Sequence, residues 1–277
     1  MSRPFIIRPP ILSSPGVYLG ALNGASVGSS VSSGGGGDVD PPVTGVTSLL
    51  LHFDSSQLDE VSQEVFTSGW PTYVGGVFGN AVRSLSEFPG AIAGAWSEAL
   101  SIGTQPFTIE FRARFNGNVM FNNGDTGGIL IAKNYWGSAP SGSAFALDWQ
   151  VSVGPEFIDL SWSELGGAGS PDSVNVVIPD STAWRAFAIT DDGTNLRFYV
   201  NGARVYEGGS VQLSGTIPGV SGARVSLYNA LQGFSGPSPN WGNTMFSGWI
   251  DELRMTLGEA LYTGATYTVA TIAFTLD

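Results

Sequence analysis

No cysteine occurs anywhere in the 277 residues, which excludes a disulfide framework, a thiolate metal site and a cysteine nucleophile. Stability must come from a packed core, a non-thiolate metal or assembly. Charge is also scarce. Charged residues make up 12% of the chain, about half the usual share, and Lys133 is the only lysine. The formal net charge is −12, so a phosphate backbone would repel the chain, and nucleic-acid binding is not expected as its main role. No stretch approaches the ~18 apolar residues of a membrane-spanning helix, so no membrane insertion is expected. The apolar run Phe5–Ile7 is far shorter than the ~7–15 residues of a signal-peptide core, and prolines bracket it. It does not read as a secretion signal. The single histidine, His52, sits in an apolar strand pattern with no triad nearby, which suits a core or edge position.

Glycine (39) and proline (16) are present in number, and 42% of residues are hydrophobic, ample for a core. Pro4, Pro9, Pro10 and Pro15 forbid helix over the first 23 residues and favour extended chain. Within that stretch Arg3, Phe5, Ile6, Ile7, Arg8, Val17 and Tyr18 are the candidate anchors of a docking arm. Residues 24–43 follow as a Gly/Ser-rich tether. The expected organisation is therefore an arm and tether over 1–43 and one globular head over 44–277.

From Thr47 onward the pattern is short strands and turns. Phe107, Ile109, Phe111, Ala113 and Phe115 alternate with Thr108, Glu110, Arg112 and Arg114, the period-2 signal of a half-buried strand. Apolar runs at 49–53, 129–132, 145–153, 157–162, 224–228 and 249–255 read as further strands. Between Ala183 and Gly208, Asp192-Gly193 and Asn201-Gly202 mark two tight turns of a three-stranded meander. Gly258–Tyr262 or the region of Glu98 offers at most a turn of helix. The chain is all-β.

Three segments, in this order, resemble the concanavalin A-like lectin/glucanase superfamily in its laminin-G-like branch. They are LLLHFD (49–54), FTIEFRARF (107–115), and TNLRFYVNGARVYEG (194–208) with GWIDELRMTLGEALYT (248–263). The resemblance implies a two-sheet antiparallel jelly-roll sandwich. This branch is common in phage virion proteins. Together with the anchor–tether–head order, that implies a non-enzymatic virion structural protein, a capsid decoration or tail-fibre head. The arm would meet capsid or tail proteins, and a homo-oligomer is expected by analogy. The superfamily also holds lectins and glycosidases.

Glycosidases of the superfamily place carboxylates at even spacing along one strand. Here Glu156 and Asp159 are three apart, which sends them to opposite faces, and no catalytic set is expected. The resemblance also implies a structural Ca²⁺ between the first and last strands. Asp54 and Asp251 stand at the matching positions with the hard oxygen donors calcium prefers. The alternative is a turn residue at Asp54 and a cap or Arg254 partner at Asp251. The segment 122–125 is a weaker second site. Surface-glycan binding would call on aromatic rings beside amides: Asn134, Tyr135 and Trp136 in one segment, Asn240, Trp241 and Asn243 in another, both expected as loops. Trp149, Trp184 and Trp249 lie in strand patterns and are expected in the core.

Overall fold

The computed structural model describes residues 45–56, 58–63, 65, 72–84, 92–93, 100, 102–115, 128–136, 145–162, 172–211, 213, 223–227 and 248–276. The docking arm and tether lie outside them, as do the segment 122–125, Asn240, Trp241 and Asn243.

The apolar run of β1 (Val46–Leu51) buries its last four residues. β2 (Thr72–Gly75) and β3 (Asn80–Ser84) form a short hairpin, and β4 (Ile92–Ala93) is a two-residue pairing. β5 (Phe107–Phe115) keeps its five alternating apolar side chains at 2% exposure or less. β6 (Gly128–Trp136), β7 (Phe145–Val153), β8 (Phe157–Trp162) and β9 (Asp172–Val177) run as an antiparallel meander. A second meander comprises β10 (Arg185–Asp191), β11 (Asn195–Val200) and β12 (Ala203–Gly209). Its two-residue turn has φ of 50° at Asn201 and 80° at Gly202, the paired left-handed conformation that matches strand twist. β13 (Ala223–Leu227) and the ten-residue β14 (Gly248–Leu257) complete the set.

Two antiparallel sheets result. One has eight strands in the order β12-β11-β10-β5-β14-β3-β2, with β1 also on β14, and the other has six in the order β4-β13-β6-β7-β8-β9. The interior holds Phe111 stacked on Phe187 at 5.1 Å, with Phe115 edge-on to the same ring at 6.1 Å. Trp149, Val151, Ile158 and Leu160 of the six-stranded sheet belong to the same cluster. The all-β two-sheet sandwich expected from the sequence is the fold. No helix among the described residues is long and apolar enough to cross a membrane.

The outer side of the eight-stranded sheet departs from expectation. Thr108 and Glu110 point away from the core, yet they are 0% and 2% exposed. The C-terminal segment 258–276 covers them. Leu261 N–H donates to Thr108 Oγ1 at 2.9 Å, Tyr262 O–H to Glu110 Oε2 at 2.6 Å, and Tyr199 O–H to the Gly264 carbonyl at 2.8 Å. Arg112 donates to the Ala270 carbonyl. This segment is an irregular strap, with no helical turn at 258–262. Of the three strand tryptophans, only Trp149 is core, at 0% exposure. Trp184 and Trp249 are half-buried.

Candidate functional site

β14 pairs β5 along one edge, while its other edge is shared between two strands. Leu253–Leu257 pair with β1, and Gly248–Ile250 pair with β3. The change of partner falls at Asp251 and Glu252, where the register with β5 also slips by one residue. Glu252 has φ of 57° and Phe53, just past β1, has φ of 63°. These are left-handed conformations that a non-glycine residue holds at a cost of ~1–3 kcal/mol, and such strain persists only where surroundings over-determine it.

Both acidic side chains at this break are put to use. Glu252 is fully buried and accepts His52 Nδ1 at 2.8 Å on Oε2, which also accepts Phe274 N–H at 2.9 Å. One carboxylate thus ties β1 and the C-terminal strap to β14. The bond to Glu252 raises the His52 pKa above its ordinary value against an opposing desolvation. Asp251 is equally buried. Its Oδ2 accepts the N–H groups of Val77 at 2.5 Å and Phe78 at 2.8 Å, in the β2–β3 turn. Asp54 holds the far side of that turn, accepting Asn80 N–H at 2.8 Å on Oδ1. The fit is close: a Cβ on Gly79 (φ 74°) would lie 2.0 Å from Asp54 Oδ1, and one on Gly76 would lie 2.5 Å from Asp251 Oδ2.

Asp54 and Asp251, the two positions expected to hold a calcium ion, therefore both bind the β2–β3 turn. Asp251 is capped by backbone N–H groups, whereas Arg254 donates from Nε to Glu110 Oε1 at 2.8 Å. The other Asp251 oxygen, Oδ1, is buried without a hydrogen-bond partner. Burial pushes the Asp251 carboxyl up to about 6, opposed by the two N–H bonds and reinforced by the charges of Glu252 and Asp54. A buried carboxylate oxygen without a donor is an opening for a cation. The donor chemistry suits Ca²⁺, but the count is short of the six to eight oxygens that ion takes. No group of three or more acidic or histidine side chains placed to hold a metal ion occurs among the described residues, so backbone carbonyls and water would have to complete a shell.

The glycosidase-like carboxylates do not converge. Glu156 is exposed in the turn before β8, while Asp159 is 9% exposed and accepts Ser161 Oγ at 2.5 Å. Burial raises the Asp159 pKa against the hydrogen bonds from Ser161 and Asn175.

Asn134, Tyr135 and Trp136 are not loop residues, as their composition suggested. They end β6, with Tyr135 opposite Ala146 and Ala223 and Trp136 opposite Phe145. They stand at an end of the six-stranded sheet, beside the segment that leads to β7.

No protein-family model and no curated protein matches the chain. Solved structures do, at the level of fold. The binding domain of Paraclostridial Mosquitocidal Protein 1 superposes with a TM-score of 0.53 at 15% identity, covering 78% of this chain and 50% of that one. A chain of botulinum neurotoxin type C, whose cell uptake depends on two ganglioside molecules, gives 0.52 at 16% identity, over 76% and 47%. Domain 4 of AbnA, a GH43 extracellular arabinanase from Geobacillus stearothermophilus solved with arabinotriose, gives 0.50 at 16% identity, over 78% and 94%. The chain thus spans about half the length of the toxin chains and nearly all of the arabinanase domain. What this chain is similar to is a β-sandwich of the kind that recurs in toxin binding domains and in domain 4 of an arabinanase.

Proposed function

We propose that the head is a non-enzymatic carbohydrate-binding module, carried by its N-terminal arm on a phage virion as a decoration or fibre protein. The observation that carries the binding part is the shared sandwich. The matched solved structures include a domain in complex with arabinotriose and a toxin that depends on gangliosides. Separation of Glu156 from Asp159 supports binding without hydrolysis, because glycoside cleavage calls for two carboxylates flanking one bond. The anchor–tether–head order of the sequence supports display on a larger particle, with capsid or tail proteins as partners and further copies of the chain beside it.

The glycan contact is assigned to the end of β6, at Asn134, Tyr135 and Trp136, together with Asn240, Trp241 and Asn243. An indole or phenol ring offers a face for a pyranose, and amides beside it fix hydroxyl groups. A glycan array probed with the intact chain, with W136A and with W241A tests this. The expected result is retention by the parent chain that both variants lose at unchanged melting temperature. An array blank for the parent chain overturns the binding reading.

A structural Ca²⁺ belongs to the same proposal. Asp251 Oδ1 and Asp54 would hold it, and the ion would supply positive charge to a carboxylate that burial now penalises.

A further inference from the structure

The chain has 11 lysine and arginine residues against 23 acidic ones, so any cation without a carboxylate partner stands out. Among the described residues Arg83, Arg112, Arg114 and Arg185 make no ion pair; Arg112 and Arg185 donate to backbone carbonyls instead, whereas Arg83 and Arg114 share one aromatic ring. On the outer face of the eight-stranded sheet, Arg83 of β3, Trp249 of β14 and Arg114 of β5 are direct cross-strand neighbours. The Arg83 guanidinium lies 5.5 Å and that of Arg114 5.0 Å from the Trp249 ring centroid. Arg114 is exposed, and Arg83 and Trp249 are half-buried. Neither guanidinium makes an ion pair among the described residues, in contrast to Arg197, Arg204 and Arg254.

The row extends onto β2. Thr72 of β2 is opposite Arg83. The β5–β10 register ends with Ala113 opposite Arg185, and Trp184, the residue just before β10, is half-buried. Hydroxyl, guanidinium, indole and guanidinium thus cross the sheet in sequence. The strap that buries this face near Glu110 leaves Arg114 open. The nearest acidic position on β14, Asp251, is fully buried and turned to the Val77 and Phe78 N–H groups.

We propose that the row Arg83–Trp249–Arg114 is a second binding surface, for a polysaccharide bearing carboxylate or sulfate groups. A guanidinium stacked on an indole is pre-ordered, and its outward N–H fork matches a planar oxyanion in two-point contact. An aromatic ring between the cations suits a chain in which sugar faces alternate with sparse charges. A nucleic acid fits less well. It presents a phosphate at every residue, which calls for a basic stripe, and two guanidiniums on a chain of net charge −12 do not make one. The surface deepens the carbohydrate-binding reading but does not use the β6-end residues.

The test measures retention of the full chain on immobilised alginate, dextran sulfate, neutral dextran and single-stranded DNA, across 50–500 mM NaCl. Binding to alginate or dextran sulfate is expected, with neutral dextran and DNA at least tenfold weaker. Binding should fall with salt, as screening of a guanidinium–oxyanion contact requires. The double variant R83Q/R114Q should lose at least tenfold, and R83K/R114K should fall between, since lysine keeps the charge but not the fork. The exposed single variant R114E is the control on folding, and should also lose binding with an unchanged melting temperature. Equal retention on DNA, or anionic binding that survives both R83Q/R114Q and R114E, overturns the assignment. W136A/W241A separates the two surfaces, because it should leave anionic binding intact. Neutral-glycan binding without any anionic retention would sink this surface alone, whereas failure on both sets of ligands would sink the module reading with it.

Discussion

At the scale of single residues, Asp251 is the most exacting position in the head. Its buried Oδ1 has no partner, and its carboxyl is pushed up from 3.8 to about 6. In the unfolded chain the same group would ionise near 3.8, so between about pH 4 and 6 the folded state binds more protons than the unfolded one. Stability then falls as pH rises through that window, by roughly 3 kcal/mol at 1.36 kcal/mol per pKa unit. A bound cation would remove the slope by stabilising the ionised form. Melting temperatures across pH 4–8 in EDTA should therefore decline over the acidic window, and Ca²⁺ should restore stability above pH 6. D251N should lack both responses. If the parent chain in EDTA gains nothing from Ca²⁺ at pH 7.5, the metal proposal fails. His52 contributes in a separate window. Its raised pKa gives a stabilisation that is present below 6.5 and is lost as pH rises through the higher folded value, so H52Q should flatten the curve on the neutral side only.

At the scale of elements, β14 organises the sandwich because three strands share it and its edge changes partner at Glu252. Removing that side chain leaves His52 with only the longer contact to Glu60 at 3.5 Å and frees Phe274 N–H. E252A is expected to cost about 3 kcal/mol in urea unfolding, the usual consequence of breaking a buried pair. E252G should be the milder change, since glycine relieves the left-handed backbone while losing the same bonds. An E252G less stable than E252A would show that the φ of 57° carries no strain. Hydrogen exchange at residues 270–276 should quicken in both.

Much of this architecture was legible in the sequence. The alternation over 107–115, the Asn201-Gly202 turn and the IDEL ending follow from local periodicity and turn chemistry, and each sits where it was expected. What was not legible depends on contacts between distant segments. The burial of Glu110 requires the strap 150 residues further on. The Glu252 bulge needs two strands competing for one edge. Trp249 read as core because strand periodicity gives two faces without saying which is the interior. The Arg83–Trp249–Arg114 row was hidden for the same reason, since its members come from three strands and meet only through register. The β6-end residues read as a loop because composition outweighed pairing across β7 and β13.

At the scale of the whole molecule, the proposed function rests on a division of labour between arm and head. The head contains its own core, with Phe107, Phe111, Phe187, Phe198 and Trp149 essentially unexposed. F111A should cost about 3–5 kcal/mol by emptying the space against Phe187. Residues 38–277 form one compact unit. A chain lacking residues 1–37 should therefore melt at the temperature of the parent chain and keep both glycan activities. If the arm is the attachment device, the same truncation should abolish co-sedimentation with phage particles, and the isolated arm fused to an unrelated protein should restore it. Those two results are independent, because the first follows from packing and the second from the arm's apolar and arginine anchors. A truncated head that still assembles would place attachment on the sandwich itself, and the exposed row of arginines and tryptophan would then be the first surface to mutate.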